Sequence, residues 1–67
     1  MLRRTFAKNL RRLRSAQGLS QEALGDAAGL DRTYISALER EVYSASLDTI
    51  EKIATVLGVS AVDLLAE

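Results

Sequence analysis

The chain of 67 residues contains no cysteine, no histidine and no proline, and aromatic residues make up only 4% of it. Without cysteine or histidine it can form no disulfide, offers no thiol chemistry and could hold zinc only through carboxylates. It also lacks a glycine-rich phosphate loop and a close pair of carboxylates flanking a pocket. We therefore expect a protein that is not an enzyme and that has no metal, no cofactor and no small-molecule ligand.

Long hydrophobic runs are also missing. None approaches the roughly 18–20 residues that a membrane-spanning helix needs, and Met1 to Phe6 lack the apolar stretch of a signal peptide. The apolar content of 48% is nevertheless enough for a compact core. These features predict a single domain over residues 1–67, located in the cytoplasm, with no membrane partner.

Charges are balanced overall but unevenly distributed. The chain has nine basic and nine acidic residues, yet residues 1–40 have a net charge of +4 and residues 41–67 a net charge of −4. A molecule with this polarity can bind phosphate with its basic part while the acidic part contacts solvent or a partner. The net charge of zero therefore does not exclude a nucleic-acid-binding protein.

Start and stop signals divide the chain into five helices. The residues suited to cap a helix N-terminus are Ser20, Asp31, Ser46 and Ser60. Glycines that can end a helix with a positive φ are Gly18, Gly29 and Gly58. The predicted fold is all-α, a five-helix bundle with helices over residues 2–17, 21–28, 32–40 and 47–57 and a short last helix after Ser60. In the fourth helix, Leu47 is predicted to begin the buried apolar stripe.

The stretch from Gly18 to Arg40 is the most informative part of the chain. Two short helices flank a turn that contains Gly29, and the second helix begins with small polar and basic side chains. This is the layout of a helix-turn-helix, whose second helix lies in the major groove of DNA with its N-terminal residues at the base edges. The predicted partner is therefore double-stranded DNA.

Three motifs follow one another through this stretch. They are Leu-Ser-Gln-Glu-x-Leu from Leu19, Ala-Gly-Leu from Ala28 and Tyr-Ile-Ser-x-Leu-Glu-Arg from Tyr34. Together they resemble the phage-repressor family of DNA-binding proteins, also called the Cro/C1 or XRE family, and the resemblance extends over residues 10–65. It is greatest with restriction–modification controller proteins and small stand-alone repressors. The resemblance implies a sequence-specific transcriptional regulator with the repressor-type five-helix fold.

The candidate base-contacting residues lie on the third helix. Arg32 and Thr33 occupy its first turn, and Ser36 and Ala37 follow one turn later on the same predicted face. An arginine there can donate two hydrogen bonds to a guanine, while a threonine or alanine methyl group can touch a thymine. A solvated helix face is the alternative for an isolated arginine, but the same positions contact bases in the phage repressors that the sequence resembles.

Four residues are predicted to contact phosphates, namely Gln21, Tyr34, Arg40 and Tyr43. Gln21 matches a family glutamine that bonds a phosphate beside the N-terminal amides of its helix. The Tyr34 hydroxyl could reach the DNA backbone, or its ring could instead pack over the second helix. One or two of the basic residues on the first helix are also expected to approach DNA.

The family also pairs a basic residue with an acid across its first and third helices, at the positions of Arg14 and Glu39. Such a pair, partly buried, fixes the angle between two helices more than it adds net stability. The resemblance therefore implies a structural role for Glu39 and leaves Arg40 available for a phosphate.

The loop after the third helix departs from the family pattern. Where the family usually has a glycine and, four residues later, a proline, this chain has Glu41 and Ala45. A positive φ is costly for glutamate, so the third helix is expected to end differently or to continue. The loop normally lies near the DNA backbone, where Glu41 would be repelled and Tyr43 could compensate by a hydroxyl contact or by packing.

A two-fold DNA site has half-sites about 34 Å apart, too far for one small domain, so we expect a homodimer on a pseudo-palindromic operator. The basic half is committed to DNA, which leaves the acidic half as the partner face. Val62 and Leu65 lie on one side of the last helix, while Leu64 should point inward. Val56, on the outer face of the fourth helix, could extend the patch. The alternative is that Val62 and Leu65 only cover the core.

Two other functions remain open. A protein–protein adaptor of the same fold would show apolar or acidic residues on the exposed face of the third helix, whereas Arg32, Thr33 and Ser36 suit a groove. An antitoxin of a toxin–antitoxin pair would also bind DNA, but it usually carries an additional toxin-binding segment, for which this chain has no residues to spare.

Overall fold

The computed structural model describes residues 2–67, and within them the chain forms five α-helices and no strand. The helices are α1 (Leu2–Ala16), α2 (Gln21–Ala28), α3 (Arg32–Glu39), α4 (Leu47–Leu57) and α5 (Ala61–Leu65). The all-α prediction is confirmed, and the predicted bounds agree to within one residue. No helix within residues 2–67 is both long and apolar enough to cross a membrane.

Side-chain caps begin the helices where the sequence predicts. The Ser20 hydroxyl accepts a hydrogen bond from the Ala23 amide at 2.9 Å, and this satisfies one of the amides that the first turn leaves unpaired. Ser46 caps α4 in the same way. Ser60 and Asp63 form a reciprocal capping box at the start of α5, so this five-residue helix begins with two of its amides satisfied.

Helices α1 to α4 all end with the same backbone geometry. A residue with positive φ follows the last turn, and the amide after it donates to a carbonyl five residues earlier, which is the Schellman arrangement. These residues are Gly18, Gly29, Glu41 and Gly58. The prediction that α3 would end differently is wrong, because Glu41 adopts a φ of 64° without being a glycine.

The core is aliphatic and collects side chains from every helix. Its largest fully buried members are Leu10, Leu24, Ile35, Leu38, Ile53 and Leu64. Helix α1 packs against α3 and α5, while α2 packs against α3 and α4. Leu64 points inward as predicted, but the prediction for Leu47 is wrong: its side chain is 78% exposed. As the first residue of α4, Leu47 precedes the part of that helix that the other elements cover.

Two amide side chains, one on α1 and one directly after it, hold the ends of distant helices. Asn9 is buried, and its Nδ2 donates to the Leu64 carbonyl at 3.0 Å and to the Ala66 carbonyl at 2.8 Å. Gln17 donates to the Leu57 carbonyl at 2.5 Å. Both amides satisfy carbonyls at helix C-termini, which have no partner inside their own helix. They thereby attach α4 and α5 to the helix that begins the domain.

Gly25, on α2, determines how closely the turn between α2 and α3 approaches this helix. A Cβ atom at this position would lie 2.5 Å from the Leu30 carbonyl oxygen. The Leu30 amide donates to the Gly25 carbonyl at 2.7 Å, so the turn folds directly over this residue. The missing side chain therefore allows α3 to start against α2, and this contact sets the position of the residues that follow.

Candidate nucleic-acid interface

The first turn of α3 projects into solvent. Asp31, Arg32 and Thr33 are all exposed. The Asp31 carboxylate accepts hydrogen bonds from the Thr33 hydroxyl at 2.6 Å and from the Thr33 amide at 2.8 Å. These bonds hold the pKa of Asp31 below its usual value. The cap fixes the direction of the first turn and leaves the Arg32 side chain outside the domain.

The second turn of α3 is less exposed than predicted. Ser36 is half-buried, and its hydroxyl accepts a hydrogen bond from Arg40 Nε at 3.3 Å. Ala37 is only 5% exposed, so the prediction that it contacts a base is wrong. Its carbonyl also takes part in the end of the helix, where it accepts a hydrogen bond from the Val42 amide at 2.9 Å. The exposed face of α3 is therefore narrower than its helical spacing indicates.

The last turn of α3 is anchored by a buried ion pair. Arg14 Nε lies 2.6 Å from Glu39 Oε2, and Arg14 Nη2 lies 3.0 Å from Oε1. The two side chains are 15% and 5% exposed. Arg14 also donates to the Leu19 carbonyl at 2.7 Å. The hydrogen bond with Glu39 raises the pKa of Arg14 above its usual value, and the bidentate geometry connects α1 to α3.

Gln21 extends this network to α2. Its Nε2 atom donates to Glu39 Oε1 at 3.1 Å, so the acid on α3 receives hydrogen bonds from two other helices. A primary amide has two hydrogens, and one of those of Gln21 is used here. The second remains available to an external acceptor at the N-terminus of α2.

Two tyrosines join α3 to the loop that follows it. Tyr34 is half-buried and packs against the core, while Tyr43 is 56% exposed. Their ring centroids lie 6.4 Å apart with an angle of 41° between the planes. The Tyr34 ring therefore packs against the core and beside Tyr43. Arg40, at the end of the same helix, is exposed.

The loop is also bonded to α1, and no local sequence signal predicts this contact. Arg3 Nε donates to the Ser44 hydroxyl at 2.9 Å, across 41 residues of sequence. Arg4 Nε lies 3.6 Å from Glu41 Oε1. These contacts place two arginines of the first helix beside the loop.

The predicted partner face is only partly exposed. Val62 is 71% exposed, whereas Val56 and Leu65 are half-buried and pack against the core. Leu65 lines a shallow apolar cleft of about 300 Å³ together with the exposed side chains of Leu2 and Leu47. The apolar surface near α5 therefore extends towards the start of α4 and of α1.

These features define a class of protein. Two short helices meet at a tight glycine-containing turn, and the second carries an exposed, capped first turn with a basic side chain while its last turn is held in the core. That arrangement is a helix-turn-helix. Consistent with it, the chain matches the HTH_3 helix-turn-helix family over residues 10–64 and belongs to that family, the XRE type of transcriptional regulator.

Individual relatives agree with this assignment. The chain is 50% identical over 64 residues to a hypothetical transcription factor of Neisseria meningitidis serogroup B, covering 96% of this chain and 60% of that protein. It is 46% identical over 65 residues to control protein C.BamHI of Bacillus amyloliquefaciens, covering 96% of this chain and 80% of that protein. The structure of the restriction-modification controller protein C.AhdI from Aeromonas hydrophila is 44% identical with a TM-score of 0.89, over 92% of this chain and 94% of that one. The predicted resemblance is confirmed.

Proposed function

We propose that this protein regulates transcription by binding duplex DNA in a sequence-specific manner, as a homodimer on a pseudo-palindromic operator. The observation that carries the proposal is the exposed first turn of α3, with Arg32 outside the domain on a helix whose other end is anchored. A recognition helix of this kind enters the major groove with its N-terminal residues at the base edges. The restriction-modification controllers among its relatives support a regulatory role.

Within this interface, Arg32 is the principal base-contacting residue. Its guanidinium can donate two hydrogen bonds to guanine O6 and N7, whereas the Thr33 methyl group can touch a thymine. Ser36 lies at the edge of the exposed face and is the third proposed base-contacting residue. Arg32, Thr33 and Ser36 are polar or basic, which favours a DNA groove over the apolar or acidic surface expected of an adaptor domain.

Phosphate contacts surround this helix in the proposed complex. Gln21 offers its second amide hydrogen at the start of α2, and Arg40 offers an exposed guanidinium at the end of α3. Tyr34 and Tyr43 can donate through their hydroxyl groups. Contacts to phosphate set the register of the protein on the duplex but carry no direct sequence information.

The first test separates base contacts from phosphate contacts. After selection of a binding site from random duplexes, Arg32→Ala should weaken binding to the selected site by roughly 1–3 kcal/mol and relax specificity at one position. Arg40→Ala is the matched control, because it also removes an exposed arginine, at the C-terminal cap of α3, but should weaken binding to selected and scrambled duplexes alike. Equal losses on both duplexes for Arg32→Ala would contradict its assignment.

The proposed homodimer uses the apolar surface around Val62, Leu65 and Val56. Two copies are needed because one small domain cannot reach both half-sites of a two-fold operator. Val62 is the best position for a test, since its exposed side chain can be changed without disturbing the core. Val62→Glu should give a folded monomer in sedimentation with weakened operator binding. The control is Thr55→Glu, on an exposed part of α4, which should remain dimeric. A Val62→Glu variant that also remains dimeric would place the interface elsewhere.

A further inference from the structure

An open cleft lies between the first turn of α1 and the loop after α3. It has a volume of about 450 Å³ and is lined by Leu2, Arg3, Arg4, Glu41 and Ser44; we call it the α1–loop cleft. Arg3 meets Ser44 through Nε, and Arg4 meets Glu41 through Nε. Because Nε is only one of the three nitrogens of a guanidinium, the terminal nitrogens of both arginines are left to donate to a further acceptor.

The α1–loop cleft adjoins the C-terminal end of α3. Glu41 follows directly after Arg40, the residue that ends this helix, and Tyr43 of the same loop packs beside Tyr34 of α3. A helix in the major groove has a phosphate backbone along each side of the groove. The cleft therefore borders the part of α3 at which a backbone would leave the groove.

We propose that the α1–loop cleft binds a backbone phosphate of duplex DNA, with Arg3, Arg4 and the Ser44 hydroxyl as donors. This inference rests on the proposed DNA binding and adds a site on α1 to it. Guanidinium groups match the geometry of phosphate oxygens and can donate more than one hydrogen bond to them. The occupant is a phosphate of the duplex and not a free anion, because the cleft is open and the Arg4 side chain is 78% exposed. A phosphate already positioned by the rest of the interface loses little further freedom on entering it.

Glu41 competes with that phosphate. Its carboxylate lies at the same arginine in the free protein, 3.6 Å from Arg4 Nε, and it carries the same sign of charge as the incoming phosphate. Binding of DNA thus replaces one anion beside Arg4 with another. The carboxylate should therefore weaken DNA binding without affecting which base sequence is preferred.

The test is the salt dependence of binding to the selected duplex, measured by fluorescence anisotropy from about 50 to 200 mM salt. Each phosphate contact that is lost reduces the slope of log affinity against log salt by about 0.9, so the fall in affinity over this range becomes about three-fold smaller per contact. Arg3→Gln and Arg4→Gln should each show this reduction on selected and scrambled duplexes alike. Circular dichroism should show an unchanged fold, because both side chains are exposed.

Arg12→Gln is the matched control. It removes the same charge from the same helix, but Arg12 lies on the side of α1 that faces α5, in a cleft that also contains Asp63 and Glu67. Arg4 lines both this cleft and the α1–loop cleft, whereas Arg3 does not line the cleft of Arg12, so the comparison is sharpest with Arg3→Gln. Its slope should remain that of the unmodified protein. Slopes for Arg3→Gln and Arg4→Gln that equal that of Arg12→Gln would overturn the proposed cleft while leaving the DNA-binding function intact. Failure of the unmodified protein to bind any duplex would overturn both.

A second variant tests the competing carboxylate. Glu41→Gln keeps the shape and the backbone strain of this position but removes its charge, so binding to selected and scrambled duplexes should become several-fold tighter at low salt, with the preference between them unchanged. Unchanged or weaker binding would show that Glu41 does not oppose a phosphate in the cleft.

Discussion

The first and last turns of α3 differ in exposure and in the partners of their hydrogen bonds. Asp31, Arg32 and Thr33 are exposed, whereas Leu38 and Glu39, less than two helical turns later, are buried. The first turn has its hydrogen bonds within itself, through the Asp31 cap. The last turn has its hydrogen bonds with other helices, through Arg14 and Gln21.

This difference shows how a short helix can be both a rigid element and a contact surface. An isolated helix of eight residues is unstable in water, so α3 depends on packing at its C-terminal end. The N-terminal end can then carry residues chosen for binding, because few of its contacts contribute to the core. Changes in the last turn should therefore alter stability, and changes in the first turn should alter DNA binding.

The largest effect is expected at Glu39. Glu39→Ala leaves the Arg14 guanidinium with little exposure and without its carboxylate, which typically costs about 3–5 kcal/mol. Urea unfolding followed by circular dichroism measures the free energy of unfolding. The control Glu22→Ala removes an exposed acid from α2 and should change stability by less than about 0.5 kcal/mol.

A double-mutant cycle sharpens this prediction. Removing Arg14 together with Glu39 should cost less than the sum of the two single changes, because no unpaired charge is then left in the interface. Simple additivity of the two free energies would show that the side chains act independently. In that case apolar packing alone would anchor the last turn of α3. The ion pair would then not contribute to the difference between the two turns.

Gly25 tests whether the turn controls the position of α3. Helix propensity alone favours alanine over glycine inside a helix by about 1 kcal/mol. In this fold Gly25→Ala should instead destabilise by about 1–3 kcal/mol, because the new Cβ would lie 2.5 Å from a backbone oxygen that cannot move independently. The exposed Ala27 of α2 provides the control, since Ala27→Gly should show only the propensity effect. A stabilised Gly25→Ala protein would contradict the close packing of the turn.

A smaller effect, of opposite sign, is expected where α3 ends. Glu41 has a φ of 64°, a conformation that costs a residue with a Cβ about 1–2 kcal/mol. Glu41→Gly should therefore raise the free energy of unfolding by about 0.5–1 kcal/mol, because part of the gain is lost to the greater freedom of glycine in the unfolded chain. Glu41→Gln retains the strain and should leave stability unchanged. If both variants gain equally, removal of the charge and not of the strain is responsible.

The sequence predicts the helix bounds well because their signals are local. A cap such as Ser20 lies within three residues of the amide that it binds, and a positive-φ glycine acts on the turn directly before it. Glu41 shows the limit of this reasoning. The backbone of α3 ends in the same geometry as the other helices even though the usual residue is missing, because the loop is also held by Arg3, Arg4 and Tyr34.

Interactions between distant parts of the chain were not predictable from spacing. Asn9 binds the Leu64 carbonyl across 55 residues, and nothing near Asn9 in the sequence indicates that α5 ends beside it. Ala37 illustrates the same difficulty in the interface. Helical periodicity gives the direction of a side chain relative to its neighbours, but not whether another part of the fold buries it, and Ala37 is buried. Arg32 and Thr33 are predictable because their exposure follows from their position at the start of the helix.

The smallest effect is expected from the pH dependence of the first turn. The hydrogen bonds that Asp31 accepts from Thr33 lower the pKa of its carboxyl group in the folded protein, whereas the unfolded chain should have a value of about 3.9. A lowered pKa contributes stability above the unfolded value, and this contribution is lost as the pH falls through the folded value. The melting temperature should therefore decrease below about pH 4, in part because the α3 cap becomes protonated. Asp31→Asn keeps a side chain that caps helices equally well but does not titrate, so its melting temperature should fall less steeply between about pH 4 and pH 2. Identical acid profiles for the two proteins would show that the cap contributes nothing through its charge, and the first turn of α3 would then be even less coupled to the fold than its hydrogen bonds indicate.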